Sequence, residues 1–164
     1  MSQFLSIQTG GDKELLKNIA LLGRYFPEFL ADANRETAEN VKANAQRNLK
    51  DIDAYDTGTL YNSVAVAEAR NGLIMAVGTA AAHGPFIEFG TRPHFPPVSA
   101  IAAWCKRKGI PITAAFPIAR AIARRGLPER PWLYPALLAE RPNYAQRIQL
   151  AVAAGFSRLF RGSG

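Results

Sequence analysis

The sequence predicts an α+β fold, in which a long N-terminal helix packs on a small antiparallel β-sheet and C-terminal helices follow. Three observations predict it. Apolar residues recur at helical spacing from Lys13 to Leu49, two short β-prone runs flank Asn71-Gly72, and helical segments punctuated by Gly and Pro fill the chain beyond residue 97. A length of 164 residues fits a single domain spanning 1–164, large enough for a continuous core without disulfides or metals. Its expected layout is helical at 13–49, β-sheet at 60–91 and mainly helical at 97–160, with a frayed tail at 161–164.

In the first helix the apolar stripe is Leu15, Ile19, Leu22, Phe26, Phe29, Ala33, Thr37, Val41, Ala45 and Leu49. Steps of three and four place these residues on one face, and most of the charged residues fall elsewhere. Pro27 lacks the amide that continues a helix, so it ends a first helix, starts a second, or kinks a single long one. Residues 51–58 are polar and rich in turn formers and read as a loop. Within it Asp56-Thr57-Gly58 reads as a turn, with Asp or Thr accepting backbone hydrogen bonds and Gly taking the unusual dihedral.

The runs Ser63–Glu68 and Leu73–Gly78 form an antiparallel hairpin, because Arg70-Asn71-Gly72 between them tolerates left-handed backbone. Phe86–Phe89, closed by Gly90, is expected as a third strand. In such a strand Glu88 points away from the face that Ile87 and Phe89 bury. It is then placed to pair with Arg120, Arg124 or Arg125 of a neighbouring subunit, to pair with the nearby Arg92, or to stand solvated. A hairpin alone is marginal in water, so the sheet requires the long helix across one face.

After Pro93, Pro96 and Pro97, a helix over Val98–Lys108 buries Ile101 and Trp104 and stops at Gly109. The next, Phe116–Arg125, turns Ile118 and Ile122 inward and Arg120, Arg124 and Arg125 outward. A helix over Pro135–Glu140 is expected to restart after Pro142 and run to Phe160. Trp132 and Tyr134, flanked by Pro131 and Pro135, read as anchors that pin the chain to the sheet or to a neighbour.

No residue set here has the pattern of catalysis or cofactor binding. His83, Glu88, His94 and Cys105 match no zinc spacing, and no GK[ST] or GxGxxG surrounds the glycines. Asp51, Asp53 and Asp56 share a polar loop with nothing apolar to raise a pKa, and Cys105 sits on an amphipathic helix as a packed thiol. No apolar run reaches the ~20 residues of a membrane span. The N-terminus lacks the features of a secretion signal, and a single cysteine suits a reducing compartment, so synthesis in the cytoplasm is expected.

Charge is unevenly spread. Residues 1–99 hold 9 Lys/Arg against 11 Asp/Glu, a balance of −2, while residues 100–164 hold 11 against 2, a balance of +9. Such a basic third attracts either DNA phosphates or an acidic partner surface, which makes a DNA-binding protein the alternative reading.

Four motifs in order carry a resemblance. They are Asp56-Thr57-Gly58-Thr59-Leu60-Tyr61-Asn62-Ser63, Val77-Gly78-Thr79, Phe86-Ile87-Glu88-Phe89-Gly90-Thr91 and Arg130-Pro131-Trp132-Leu133-Tyr134-Pro135-Ala136-Leu137. Over residues 13–150 the chain resembles the neck, or tail-completion, proteins of long-tailed bacteriophages, also described as head–tail joining or minor tail proteins. Their pattern is D-T-G-x-L-x-x-S, V-G-T, Y/F-I/V-E-F-G-T and R-P-F-L-x-P-A-L, with Trp132 here replacing the usual Phe. The resemblance implies a non-enzymatic virion protein without cofactors, forming a hexameric or dodecameric ring at the head–tail junction. Its implied partners are other neck and tail-tube proteins, with DNA passing through the ring lumen and no membrane. The free protein is expected to stay monomeric until it docks.

Overall fold

The structure is a computed structural model that describes residues 12–161. Helix α1 spans Asp12–Asp51 and continues unbroken through Pro27. Of the three outcomes open for Pro27, the chain takes the single helix. Pro27 and Gly23, whose carbonyl the proline leaves without an amide donor, are both exposed, so water can satisfy that carbonyl. The expected stripe is buried at Ala33, Val41, Ala45 and Leu49 and half-buried at Phe26, Phe29 and Thr37. The side chains of Leu15, Ile19 and Leu22 lie outside the described residues, as does the expected tail beyond Arg161.

A loop leads to a short helix α2, Thr59–Ser63, and then to strands β1, Val64–Ala69, and β2, Ile74–Thr79. The strands pair antiparallel, Val64 opposite Thr79 and Ala69 opposite Ile74. The turn between them is left-handed, with φ of 50° at Arg70 and 53° at Asn71, as its Asn-Gly sequence predicts. The hairpin lies on α1: the Asn34 side-chain amide donates to the Gly72 carbonyl at 2.9 Å, and the Arg35 guanidinium grips the Glu68 carboxylate.

The third strand is not there. Residues Gly84–Phe89 form a short helix, α3, so the expected sheet at 60–91 shrinks to two strands bracketed by helical turns at 59–63 and 84–89. The physical reason is distance. Gly84 and Glu88 both bond to Trp132, and only a helix brings residues four apart to about 6 Å, against about 13 Å in a strand.

Helix α4, Val98–Arg107, buries Cys105 completely, while Ile101 and Trp104, the expected inward residues, are half-buried. A 3₁₀ turn at Ile112–Ala114 leads into α5, Ala115–Arg125, which packs on α4 and buries Ala115, Ala119 and Ile122. The last helix, α6, spans Tyr134–Arg161 without the expected restart, since Pro142 lies within it.

Helices α1 and α6 run antiparallel along one another. Asn48 reaches the start of α6, Asn44 meets Glu140, Arg147 meets Glu36 and Thr37, and Gly155 lies against Phe26 and Phe29. The core sits where α1, α2, the hairpin and the start of α6 converge, on Val41, Ala45, Leu49, Leu60, Val64, Trp132 and Ala136.

Candidate functional site

All four motifs converge on one clasp at the start of α6. That helix has no Ser, Thr, Asp or Asn before it to accept its first amides. Glu88 does so from 44 residues away. Its Oε2 accepts the Trp132 amide at 2.7 Å and the Leu133 amide at 2.8 Å, and its Oε1 accepts the Tyr134 amide at 2.9 Å. The carboxylate is only 6 % exposed, and a negative charge at a helix N-terminus is stabilised by the amide dipoles. This corrects the expected surface Glu88 and its pairing with Arg92, or with Arg120, Arg124 or Arg125 of a neighbour. The same helical turn leaves Ile87 half-buried and Phe89 77 % exposed, not paired on a buried face.

Trp132 is the anchor that its setting between Pro131 and Pro135 suggests. It is fully enclosed, its indole N–H donates to the Gly84 carbonyl at 3.3 Å, and its own carbonyl accepts from Asn48 at 2.9 Å. Tyr134 is mostly exposed and is not buried against the sheet, while Pro131 and Pro135 are exposed on either side of the clasp. Arg130 is held through its backbone, whose amide donates to the Ile87 carbonyl at 2.8 Å.

The other motifs tie in beside it. Ser63 Oγ donates to the Leu60 carbonyl at 2.9 Å and lies 2.6 Å from Thr79 Oγ1, joining the end of α2 to the end of β2. Leu60 is in the core. Gly58 takes φ of 79° and Thr57 Oγ1 accepts the Thr59 amide at 3.4 Å, as the turn reading requires. Asp56 does otherwise: its carboxylate accepts Arg107 Nη2 at 2.6 Å and Nε at 3.0 Å. This bond lowers the Asp56 pKa and raises that of Arg107, and it fastens α4 to the motif loop. Thr91 and Leu127 form an antiparallel bridge, where Gly90 and Gly126 both have positive φ and both press on the opposing backbone.

Two surfaces remain uncovered around the clasp. One is an open, mostly apolar groove of about 1190 Å³ between β2, the middle of α1 and the first turns of α6. Leu73, Ile74, Tyr134, Leu137 and Leu138 are exposed on it. The other is basic. Arg92, Arg120, Arg124, Arg125 and Arg130 are exposed, and no guanidinium among them meets an acid among the described residues. The sequence isolates Arg120, Arg124 and Arg125; the bridge at Thr91 and Leu127 sets the backbone of Arg92 close beside Gly126, at the end of α5.

Among the described residues no group of three or more His, Cys, Asp and Glu could hold a metal, and no helix is long and apolar enough to cross a membrane.

Residues 13–90 match the family model described as "Bacteriophage HK97-gp10, putative tail-component". That span carries a phage tail-component signature. The match supports a phage neck/tail-completion family and bears out the resemblance drawn from the motifs. It covers the first two motifs and the third as far as Gly90; the fourth, at Trp132, is joined to the matched segment by the Glu88 clasp. A tail-component family accords with a structural role in a virion and with contacts to other tail proteins. No curated protein and no solved structure gives a significant match to the chain.

Proposed function

We propose that this protein is a non-enzymatic structural subunit of a phage virion, a neck or tail-completion protein that joins head and tail as part of a ring. The observation that carries the reading is the tail-component match over residues 13–90. The uncovered surfaces support it. The exposed apolar lining of the groove at Ile74, Leu137 and Leu138 is of the kind that marks protein interaction sites, and the aromatic and arginine residues on the basic side are those enriched at interfaces. In this reading the partners are neighbouring copies together with neck and tail-tube proteins, DNA passes through the lumen, and the ring is hexameric or dodecameric. A ring uses two different patches per subunit, which suits a chain with one acid-rich and one basic portion.

Electron microscopy of assembled particles tests this directly. Density for the chain is expected at the head–tail junction, and ultracentrifugation of the free protein is expected to give a monomer. Density elsewhere, or absence from particles, refutes the assignment. The second reading, DNA binding by the unpaired arginines, requires affinity for duplex DNA that falls steeply with salt as counterions are released.

A further inference from the structure

We propose that the arginine face of α5 docks onto the acid-rich middle of α1 in a second copy of this chain, head to tail. The inference rests on the ring reading above and names its contact. Arg92, Arg120 and Arg124 stand exposed without acid partners, on a surface that also carries the edge-to-face pair Phe95 and Phe116 at 6.3 Å between ring centroids. Phosphate binding would use the charges alone. Arginine interleaved with exposed Phe is the composition of a protein contact, where the rings fill a dry centre and the guanidinia meet carboxylates.

The complement is on the same chain. Along the middle of α1, Arg35 bonds both Asp32 and Glu68, and Arg147 of α6 bonds both Glu36 and Glu140. Each trio therefore keeps one surplus negative charge. Glu28, exposed one turn before Asp32, has no partner among the described residues. Glu28, Asp32 and Glu36 recur every four residues, as do Arg120 and Arg124, and both spacings rise by about 6 Å along a helix. The two rows therefore match in pitch. Among the described residues neither Arg120 nor Arg124 meets an α1 acid of its own chain, so the pairing is left to a neighbour.

The test is charge reversal in assembling particles. Arg120→Glu with Arg124→Glu changes only exposed positions, so the melting temperature of the variant is expected to stay within about 2 °C of wild type, as for surface substitutions. Its incorporation into particles is expected to fall by at least about tenfold, because like charges then face one another. Combining it with Glu28→Arg and Asp32→Arg is expected to restore incorporation. A second readout is a disulfide between separate copies carrying Asp32→Cys and Arg124→Cys; Cys105 is fully buried and does not compete. Wild-type incorporation of the arginine double variant overturns the proposal while leaving the ring reading intact. A loss that the α1 reversal does not restore also overturns it. If salt-sensitive DNA binding falls in parallel, that face belongs to phosphates; if not, it belongs to a different protein. Absence of the wild-type chain from particles refutes the ring reading itself.

Discussion

Glu88 and Trp132 are joined at 2.7 Å through carboxylate and amide, and the indole of Trp132 returns a second bond to Gly84, one helical turn before Glu88. Two motifs lying 44 residues apart thus form a closed loop of hydrogen bonds around the start of α6. The arrangement fixes where α6 begins, and with it the wall that α6 contributes to the apolar groove.

Glu88→Gln keeps the shape of the side chain but turns one acceptor oxygen into an amide that faces an N–H. The expected loss is about 1.5–3 kcal/mol, the range for hydrogen bonds to a charged group. For a chain of this size that lowers the melting temperature by about 2–4 °C per kcal/mol, read by calorimetry. A melting temperature unchanged from wild type would show that the clasp does not hold α6.

Trp132→Ala opens a cavity in the core and is expected to cost about 3–5 kcal/mol. Trp132→Phe, the residue usual in the resembling family, keeps most of the apolar filling but loses the indole bond to the Gly84 carbonyl. The lost bond and the smaller ring together are expected to cost about 1–3 kcal/mol. Urea denaturation ranks the two, and a Trp132→Phe cost near zero would remove the hydrogen bond from the account.

Gly126 and Gly109 both have positive φ, but a Cβ at Gly126 runs into the Thr91 carbonyl, while one at Gly109 meets nothing within 4 Å. Gly109→Ala carries only the dihedral cost of about 1–2 kcal/mol. Gly126→Ala is expected to add a packing cost of about 1–3 kcal/mol. Gly126 also has ψ of −163°, in a region nearly confined to glycine, so the difference between their unfolding free energies measures that added strain together with the close approach at the Thr91 bridge.

Asp56 has a carboxyl held below its usual value of 3.8, chiefly by the hydrogen bond from Arg107. A depressed folded-state pKa contributes stability that is present above the unfolded value and lost as pH falls through the folded one. Asp56→Asn is therefore expected to lower the melting temperature at neutral pH, with the gap to wild type narrowing progressively as pH falls below about 3.8. A gap between them that stays constant down to pH 2 would show that the pair contributes no pH dependence.

The long helix, the hairpin with its Asn71-Gly72 turn, and the helix stops at Gly109 and Gly126 were legible in the sequence, because each depends on neighbours a few residues away. Periodicity, β-branching and turn chemistry act at that range. The ordered motifs also carried the family resemblance. Phe86–Phe89 misled because its local preference is for a strand, while its actual partners, the first amides of α6, lie more than forty residues on. One signal for Glu88 was present: a helix opening at Tyr134 with no local capping side chain needs an acceptor from elsewhere. Which acid supplies it is not encoded locally. The tertiary structure alone decided that Glu88 turns inward, that Asp56 pairs with Arg107 instead of capping its own turn, and that the backbone at Arg92 lies beside the end of α5. The reason is the same in each case. The energy of a buried or charge-assisted hydrogen bond depends on where its partner lies in space, and that position follows only once α1 and α6 have packed.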